Sequence, residues 1–576
     1  MPNFQCLNHL SKATPGFLIF IPLLIIDPAH SQTIASFPIR TIQEPWEVPK
    51  PLPQRLDPTI PYPNAPPLRE NAPSNQQIIK VASFVFKGNT VIRTQELEAV
   101  VASYLVREIT FDDLRQVGKV ITKLYVDKGY ITSGAFLPIA ENQAINPNQA
   151  VITIQVVEGQ LDKIEIIGGT RLDNYIRQRL PSTVEVVNEK HLLEALRLLR
   201  QDPLIESISA QLDNGSSVDR SILTVKAKER QSFTIETGLD NSRSPATGSF
   251  QRFFEIEDAN LFGIGDKLSV GYRNTDGSNT LSTSYSVPLN PQNSRIEFSF
   301  INSSNNIIEN PFNSLDILSN ARGYELSFRQ PLVRKATATS TQDMSLKLTA
   351  SRLESESEVL NTPYPLNAGA DSNGKTRISA IRFSQEWLLS STRESLSVRS
   401  QFSFGIAAFG ATINNSAPDG RFFAWQGQAG WVRKLGSDAQ FIAITDLQLA
   451  DRPLASLEQI TSGGADSVRG YREATFLTDN AFLFSTELHL AAWRQSNQQF
   501  YIIPFFDFAF SWNNNTVETP NSAGSLASIG LGLQYQVGNR FNARLDYGFP
   551  LINVDTNSDK RTWQENGVLF SINYQL

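Results

Sequence analysis

From residue 232 to the last residue, apolar and polar side chains alternate with a period of two in one segment after another. In Phe541-Asn-Ala-Arg-Leu-Asp-Tyr-Gly-Phe549 the odd positions are apolar, while Asn542, Arg544, Asp546 and Gly548 take the other face. Ile529, Leu531, Leu533, Tyr535 and Val537 alternate with Gly530, Gly532, Gln534 and Gln536. Leu396–Ile406, Met344–Ala350 and Val568–Leu576 follow the same rule. Successive side chains of a β-strand point to opposite faces, so these 345 residues read as an all-β unit. About sixteen such segments are separated by loops rich in Asn, Ser, Gly, Asp and Pro, such as Asn302–Asn306 and Asn414–Ser416.

A soluble sandwich or propeller alternates too, but three features favour a transmembrane barrel. The segments are near the ~10 residues that a tilted strand needs to cross a bilayer. Aromatic residues sit at segment ends, with Trp387, Trp431, Trp493, Trp512 and Tyr574 suited to interfacial girdles. The sequence ends on an alternating strand, as a closing strand does. The second face carries Arg and Asp, which predicts a wet lumen rather than a packed one. Mean hydropathy is mildly polar, which excludes a multi-helix membrane protein but not a barrel.

Ahead of this unit lie two segments with one plan, β-α-α-β-β, at 78–158 and 159–230. In the first, Ile79–Phe86 is strand-like and Lys87-Gly88-Asn89 a turn. Thr94 is expected to cap a helix whose face is Leu97, Val100, Val101, Tyr104 and Leu105. Thr110–Asp113 is expected to cap a second helix, and strands at Ser133–Pro138 and Ala150–Val157 follow. In the second, Lys163–Ile167 is a strand, Asp173–Leu180 a short helix, and Asn188 opens a helix bearing Leu192, Leu193, Leu196 and Leu199. Ile205–Leu212 and Ser221–Lys228 close it. Such units leave sheet edges that accept an extended peptide; a plain spacer has the same pattern.

At the N-terminus, Lys12 precedes a ten-residue apolar run, Phe17–Ile26, too short to span a bilayer, and Ala29-His30-Ser31 offers a cleavage site. Residues 1–31 read as a signal peptide. Residues 32–77 read as an extended linker, because eleven prolines lie between 38 and 73. Cleavage removes Cys6, the single cysteine, which suits an oxidising compartment. A net charge of −6 gives no basic surface for nucleic acid. Only His9, His30, His191 and His489 are present, so neither a metal site nor a catalytic constellation is expected, and no cofactor or enzyme activity. His191 reads as a solvated helix-start residue.

Within the β unit, Leu454-Ala-Ser-Leu-Glu458-Gln-Ile-Thr-Ser-Gly463-Gly464-Ala-Asp-Ser-Val468-Arg469-Gly470-Tyr471 resembles the signature loop of the two-partner (type Vb) secretion transporters, the ShlB/FhaC/HecB group of the outer-membrane assembly superfamily. The two repeats resemble its polypeptide-transport-associated (POTRA) domains. Asp240-Asn241, Asn260–Asp266 and Ser284–Leu289 resemble its first barrel strands. The resemblance implies two periplasmic POTRA domains followed by an outer-membrane barrel of about sixteen antiparallel strands at 231–576, whose loop 451–478 folds inward. It implies that Arg469 pairs with the Asp of a Phe-x-Asp-x-Gly motif, here Phe505-Phe506-Asp507-Phe508-Ala509, where Ala509 replaces the Gly. Parity places Asp507, and with it Phe505, opposite the apolar face of Phe500–Phe510. Phe482, Phe484, Leu488 and Leu490 likewise place Glu487 inside. A plugging N-terminal helix, frequent in the family, has only Ile34–Glu47 as a candidate.

The implied function is export of a large partner exoprotein, haemolysin-, adhesin- or haemagglutinin-like, by a monomer embedded in outer-membrane lipid. The alternatives are a barrel-assembly insertase, which shares the loop, and a passive porin, which needs no periplasmic repeats.

Overall fold

A computed structural model describes residues 78–105, 107–138, 149–168, 171–514, 523–554 and 562–576. The signal peptide, the proline-rich linker and the plug candidate Ile34–Glu47 lie outside the described residues.

The first repeat runs β1 (Val81–Lys87), α1 (Thr94–Val101), α2 (Phe111–Asp127), β2 (Gly134–Phe136) and β3 (Ala150–Val157). Its sheet has the order β1-β3-β2, with β1 parallel and β2 antiparallel to the central strand. Leu114, Val117, Ile121 and Tyr125 form one stripe of α2 and are fully buried against Ile152, Ile154 and Val156. Thr110 and Asp113 make a reciprocal capping box at the start of α2. The Thr110 backbone N–H and then its hydroxyl hold the Asp113 carboxyl below the usual carboxylate range.

Two expectations for α1 are corrected. The N-cap is Arg93, and Thr94 is already helical, its hydroxyl accepting a bond from Asn89 at 3.2 Å. The helix also stops at Val101 and tightens into a 3-10 turn over Ala102–Tyr104. The helical spacing that would have buried Leu105 therefore ends, and Leu105 is exposed.

The second repeat runs β4 (Gln160–Ile167), α3 (Asp173–Arg177), α4 (Glu189–Gln201), β5 (Ile205–Asn214) and β6 (Arg220–Glu229), in sheet order β4-β6-β5. Leu192, Leu196 and Leu199 of α4 face its core. The repeats meet end to end. Glu189 N–H donates to the Gly129 carbonyl at 2.8 Å and Asn188 Nδ2 to the Lys128 carbonyl at 3.3 Å. The C-terminus of α2 thus abuts the N-terminus of α4, which pairs opposite dipole ends.

The remaining chain is a closed barrel of sixteen antiparallel strands, from Phe233–Asp240 to Val568–Gln575, and the last strand pairs with the first through Ile572↔Leu239. Most strands have 8–16 residues, but Leu318–Ala336, Ser340–Val359 and Lys375–Ser391 have 19, 20 and 17. The Met344–Ala350 alternation is therefore only part of its strand. Beyond Ala350 the face that carried Met344 and Leu348 continues as Arg352, Glu354, Glu356 and Glu358, so the strand outlasts its apolar band.

Trp387, Trp493 and Tyr574 are exposed near strand ends on the side of the repeats, while Trp512 ends its strand on the opposite side. The second repeat is fixed to that near rim. Asn260 Nδ2 donates to Glu229 at 2.9 Å and its side-chain oxygen accepts from Gly265 N–H at 2.9 Å. Gly265, at φ +80°, packs directly on the Tyr175 ring, where any side chain would collide.

Replacing Thr110 by Ala is expected to destabilise the first repeat by about 1 kcal/mol. Faster amide exchange in the first turn of α2 of the intact protein checks this. Because the Asp113 pKa is lowered by folding, the box contributes above the ordinary Asp range and is lost as pH falls through it.

Candidate functional site: an inward loop clasped in the lumen

The connection between strands Ala439–Ala450 and Asn480–Gln495 does not stay outside; it folds down into the lumen. It enters through a 3-10 turn, Ser456–Glu458, and pairs a short ladder, Ile460–Ser462 with Phe476–Thr478. Gly463 and Gly464 turn the chain at φ +100° and +94°. A β-carbon on Gly463 would lie 2.6 Å from the Arg472 carbonyl, so the turn needs glycine for conformation and for space.

Arg469 lies at the tip. Its backbone N–H and Nε donate to Asp507 Oδ2 at 3.1 and 2.7 Å, and Nη2 donates to Asp507 Oδ1 at 2.8 Å. Nη1 donates to Glu487 at 2.5 Å, and the guanidinium stacks 3.6 Å from the centroid of Phe505. Asp507 is fully buried and Ser485 donates to it at 2.6 Å. The Phe505 ring lies over Gly530, its cross-strand neighbour, where any side chain would strike the ring. Arg544 donates to Glu487 at 2.6 Å and to Asp546 at 2.7 Å, and His489 lies 2.7 Å from Glu487. Three carboxylates and two arginines thus form one network, with the loop arginine at its centre. Removing one partner of such a buried set costs about 3–5 kcal/mol, since the other charges stay behind unpaired.

Gly470, at φ +93°, passes against the barrel wall, where a β-carbon would lie 2.8 Å from the Gly548 carbonyl. The Tyr471 hydroxyl lies 2.8 Å from the carbonyls of both Ala527 and Ile552 and accepts from their N–H groups at 3.3 and 3.2 Å. One side chain therefore joins two strand ends where their ladder stops at Ser528↔Pro550. Val468 and Tyr471 pack with Ala509 and Leu526, and Ala509 is fully buried, so its methyl group is accommodated where the family motif has Gly.

Glu458 sits far from this network. Its carboxylate takes two bonds from Arg382, at 2.7 and 3.0 Å, and both side chains are 4% exposed. Arg382, Arg544, Asp546 and His489 were not singled out from sequence as partners. Parity turns Arg382, Arg544 and Asp546 inward, but nothing in the local pattern says which loop residue they meet. Arg472 reaches Glu309 and Glu565 on two other loops.

The lumen differs from the wet interior expected of it. Its outer part is packed: Leu454, Ala455 and Leu457 lie among Ile301, Ala321, Leu353, Ile378 and Ala380. A polar cavity of about 870 Å³ remains, lined by residues that include Glu255, Arg273, Glu297, Arg399 and Asp446. The loop supplies its own apolar side chains, and period-two parity within the strands cannot register them.

Residues 219–535 match the family described as haemolysin secretion/activation protein ShlB/FhaC/HecB, and residues 79–159 match the ShlB-type POTRA domain. The chain belongs to the ShlB/FhaC/HecB family. It is 23% identical over 518 residues to the heme/hemopexin transporter protein HuxB of Haemophilus influenzae (strain ATCC 51907 / DSM 11121 / KW20 / Rd), covering 84% of this chain and 85% of that one. It is 23% identical over 420 residues to the outer membrane transporter CdiB of Dickeya dadantii (strain 3937), covering 71% and 72%. The solved structure of CdiB from Escherichia coli superposes with a TM-score of 0.64 at 18% identity, over 88% of this chain and 92% of that one, and shares the fold. The protein is an outer-membrane translocator of the two-partner secretion transporters, with its POTRA domains in the periplasm. The rim fixed to the second repeat is therefore the periplasmic one, and the inward loop comes from the cell surface.

Tyr471→Phe keeps the ring but leaves buried groups of Ala527 and Ile552 without the hydroxyl, at a cost of about 1–3 kcal/mol. The barrel is expected to insert normally and to unfold at a lower temperature, read as the loss of its compact migration on a denaturing gel.

Proposed function

We propose that this translocator exports one dedicated large exoprotein of haemolysin-, adhesin- or haemagglutinin-like kind, and that the Arg469–Asp507 clasp holds the loop in the conformation transport needs. The observation that carries the reading is a polar cavity under a loop fastened from within, in a chain of the two-partner secretion family. An unfolded secretion domain is captured in the periplasm, in part by strand addition. Of the edge strands, β5 is the longest, with ten residues. On the first repeat, β2 has three residues, and the Ala135 N–H is taken by the Thr122 hydroxyl of α2 at 2.9 Å. The second repeat is thus the better acceptor. Folding of the exoprotein outside the cell then biases movement outward without ATP.

Deleting the gene in its host is expected to remove one large protein from the medium. Arg469→Ala is expected to cut secretion at least about tenfold, since the lost anchoring exceeds the ~1.4 kcal/mol of one decade, while the barrel remains inserted. Wild-type secretion by that variant sinks the role given to Arg469.

A further inference from the structure

The inward loop is fastened to two walls. Its returning limb, Val468–Arg472, is held by Asp507 on the thirteenth barrel strand, Gln498–Trp512. Its entering limb, Leu454–Ser462, lies against the fifth to eighth strands, from Arg295–Asn306 to Lys375–Ser391. There the single ionic contact printed by geometry at the limb's base is Glu458 with Arg382, and Arg382 also donates to Ser403 at 3.0 Å. Above it, Ser456 and Ala368 exchange two bonds: Ser456 N–H donates to the Ala368 carbonyl at 3.1 Å, and Ala368 N–H to the Ser456 hydroxyl at 3.0 Å. Gly463-Gly464 joins the limbs with two consecutive left-handed residues.

The two fastenings differ in kind. Arg469 has two carboxylates, a stacked ring and its own main-chain N–H bound to the wall. The entering limb has one ion pair and a shallow apolar contact. A buried ion pair is close to break-even against its hydrated partners. It fixes a position at little net cost and releases once water reaches both groups, as happens when a polypeptide wets the lumen.

We propose that Arg382 and Glu458 are positioning residues that latch a shutter. The entering limb Leu454–Ser462 swings about Gly463-Gly464 to open the wide side of the lumen, while Arg469 stays clasped to Asp507. This rests on the export reading given above for its biological use, but its first test needs no exoprotein.

The full protein is inserted in planar lipid bilayers and its ionic current recorded. Arg382→Met and Glu458→Gln are each expected to raise the mean current about tenfold, as a shift of one decade in the open population requires. The swapped double variant, Arg382→Glu with Glu458→Arg, is expected to return it towards the wild-type level. Compact gel migration checks that each barrel is folded. Wild-type current in both folded single variants overturns the latch, and so does a swapped pair that conducts like the single variants.

The shutter is tested separately in cells. With Cys6 the single cysteine of the sequence, Ala368→Cys with Ser456→Cys places a disulfide across the bonded pair. Oxidation is expected to lower secretion at least about tenfold, and reductant to restore it. Undiminished secretion by the oxidised, cross-linked chain overturns the moving limb. If the wild-type chain exports nothing in that host, the export reading fails while the current measurement still decides the latch.

Discussion

Backbone hydrogen bonding in lipid governs everything else in this protein. Hydrocarbon offers no partner to an exposed N–H or C=O, so a sheet within it has to close on itself. The pairing of Val568–Gln575 with Phe233–Asp240 meets that demand. Closure fixes which side chains face inward, and only those are within reach of a returning loop. The clasp is a consequence: strands Asn480–Gln495 and Gln498–Trp512 bring Glu487 and Phe505 opposite one another in register and set Asp507 beside Ser485. Arg469 then meets a preformed acceptor.

The loop in turn decides what kind of interior the barrel has. Sixteen strands alone enclose a volume that side chains cannot fill. Here the chain supplies its own packing on the outer side and leaves charged walls below. The same segment therefore serves as partial core, through Leu454, Leu457, Val468 and Tyr471, and as a charged strut, through Glu458, Arg469 and Arg472. These roles fall on separate residues, so substitutions can address them one at a time.

The sequence carries the barrel well because period-two parity is local: Asp507, Phe505 and Glu487 can be placed on the inner face by counting along their strands. The helix caps show the limits of local reading. Thr110-x-x-Asp113 has the spacing of a capping box and forms one, whereas Thr94 is displaced into the helix because Asn89 bonds it from the preceding turn. Arg382 and Glu458 are 76 residues apart, and no pattern in either segment names the other. The packed part of the lumen is hidden for the same reason, since its apolar half comes from a loop. The two glycines at 463 and 464 are readable as a turn, but the tight approach to Arg472 that excludes a side chain is a tertiary fact.

The contact of Gly265 with Tyr175, together with the Asn260–Glu229 bond, ties the second repeat to the periplasmic rim. A polypeptide segment held along Ile205–Asn214 is then tethered beside the pore entrance, and its next residues meet the mouth at a local concentration set by a short span of chain rather than by the bulk periplasm. Effective concentrations for such short tethers are of the order of millimolar. Entry into the barrel becomes an intramolecular step, so a scarce exoprotein needs to find the transporter only once.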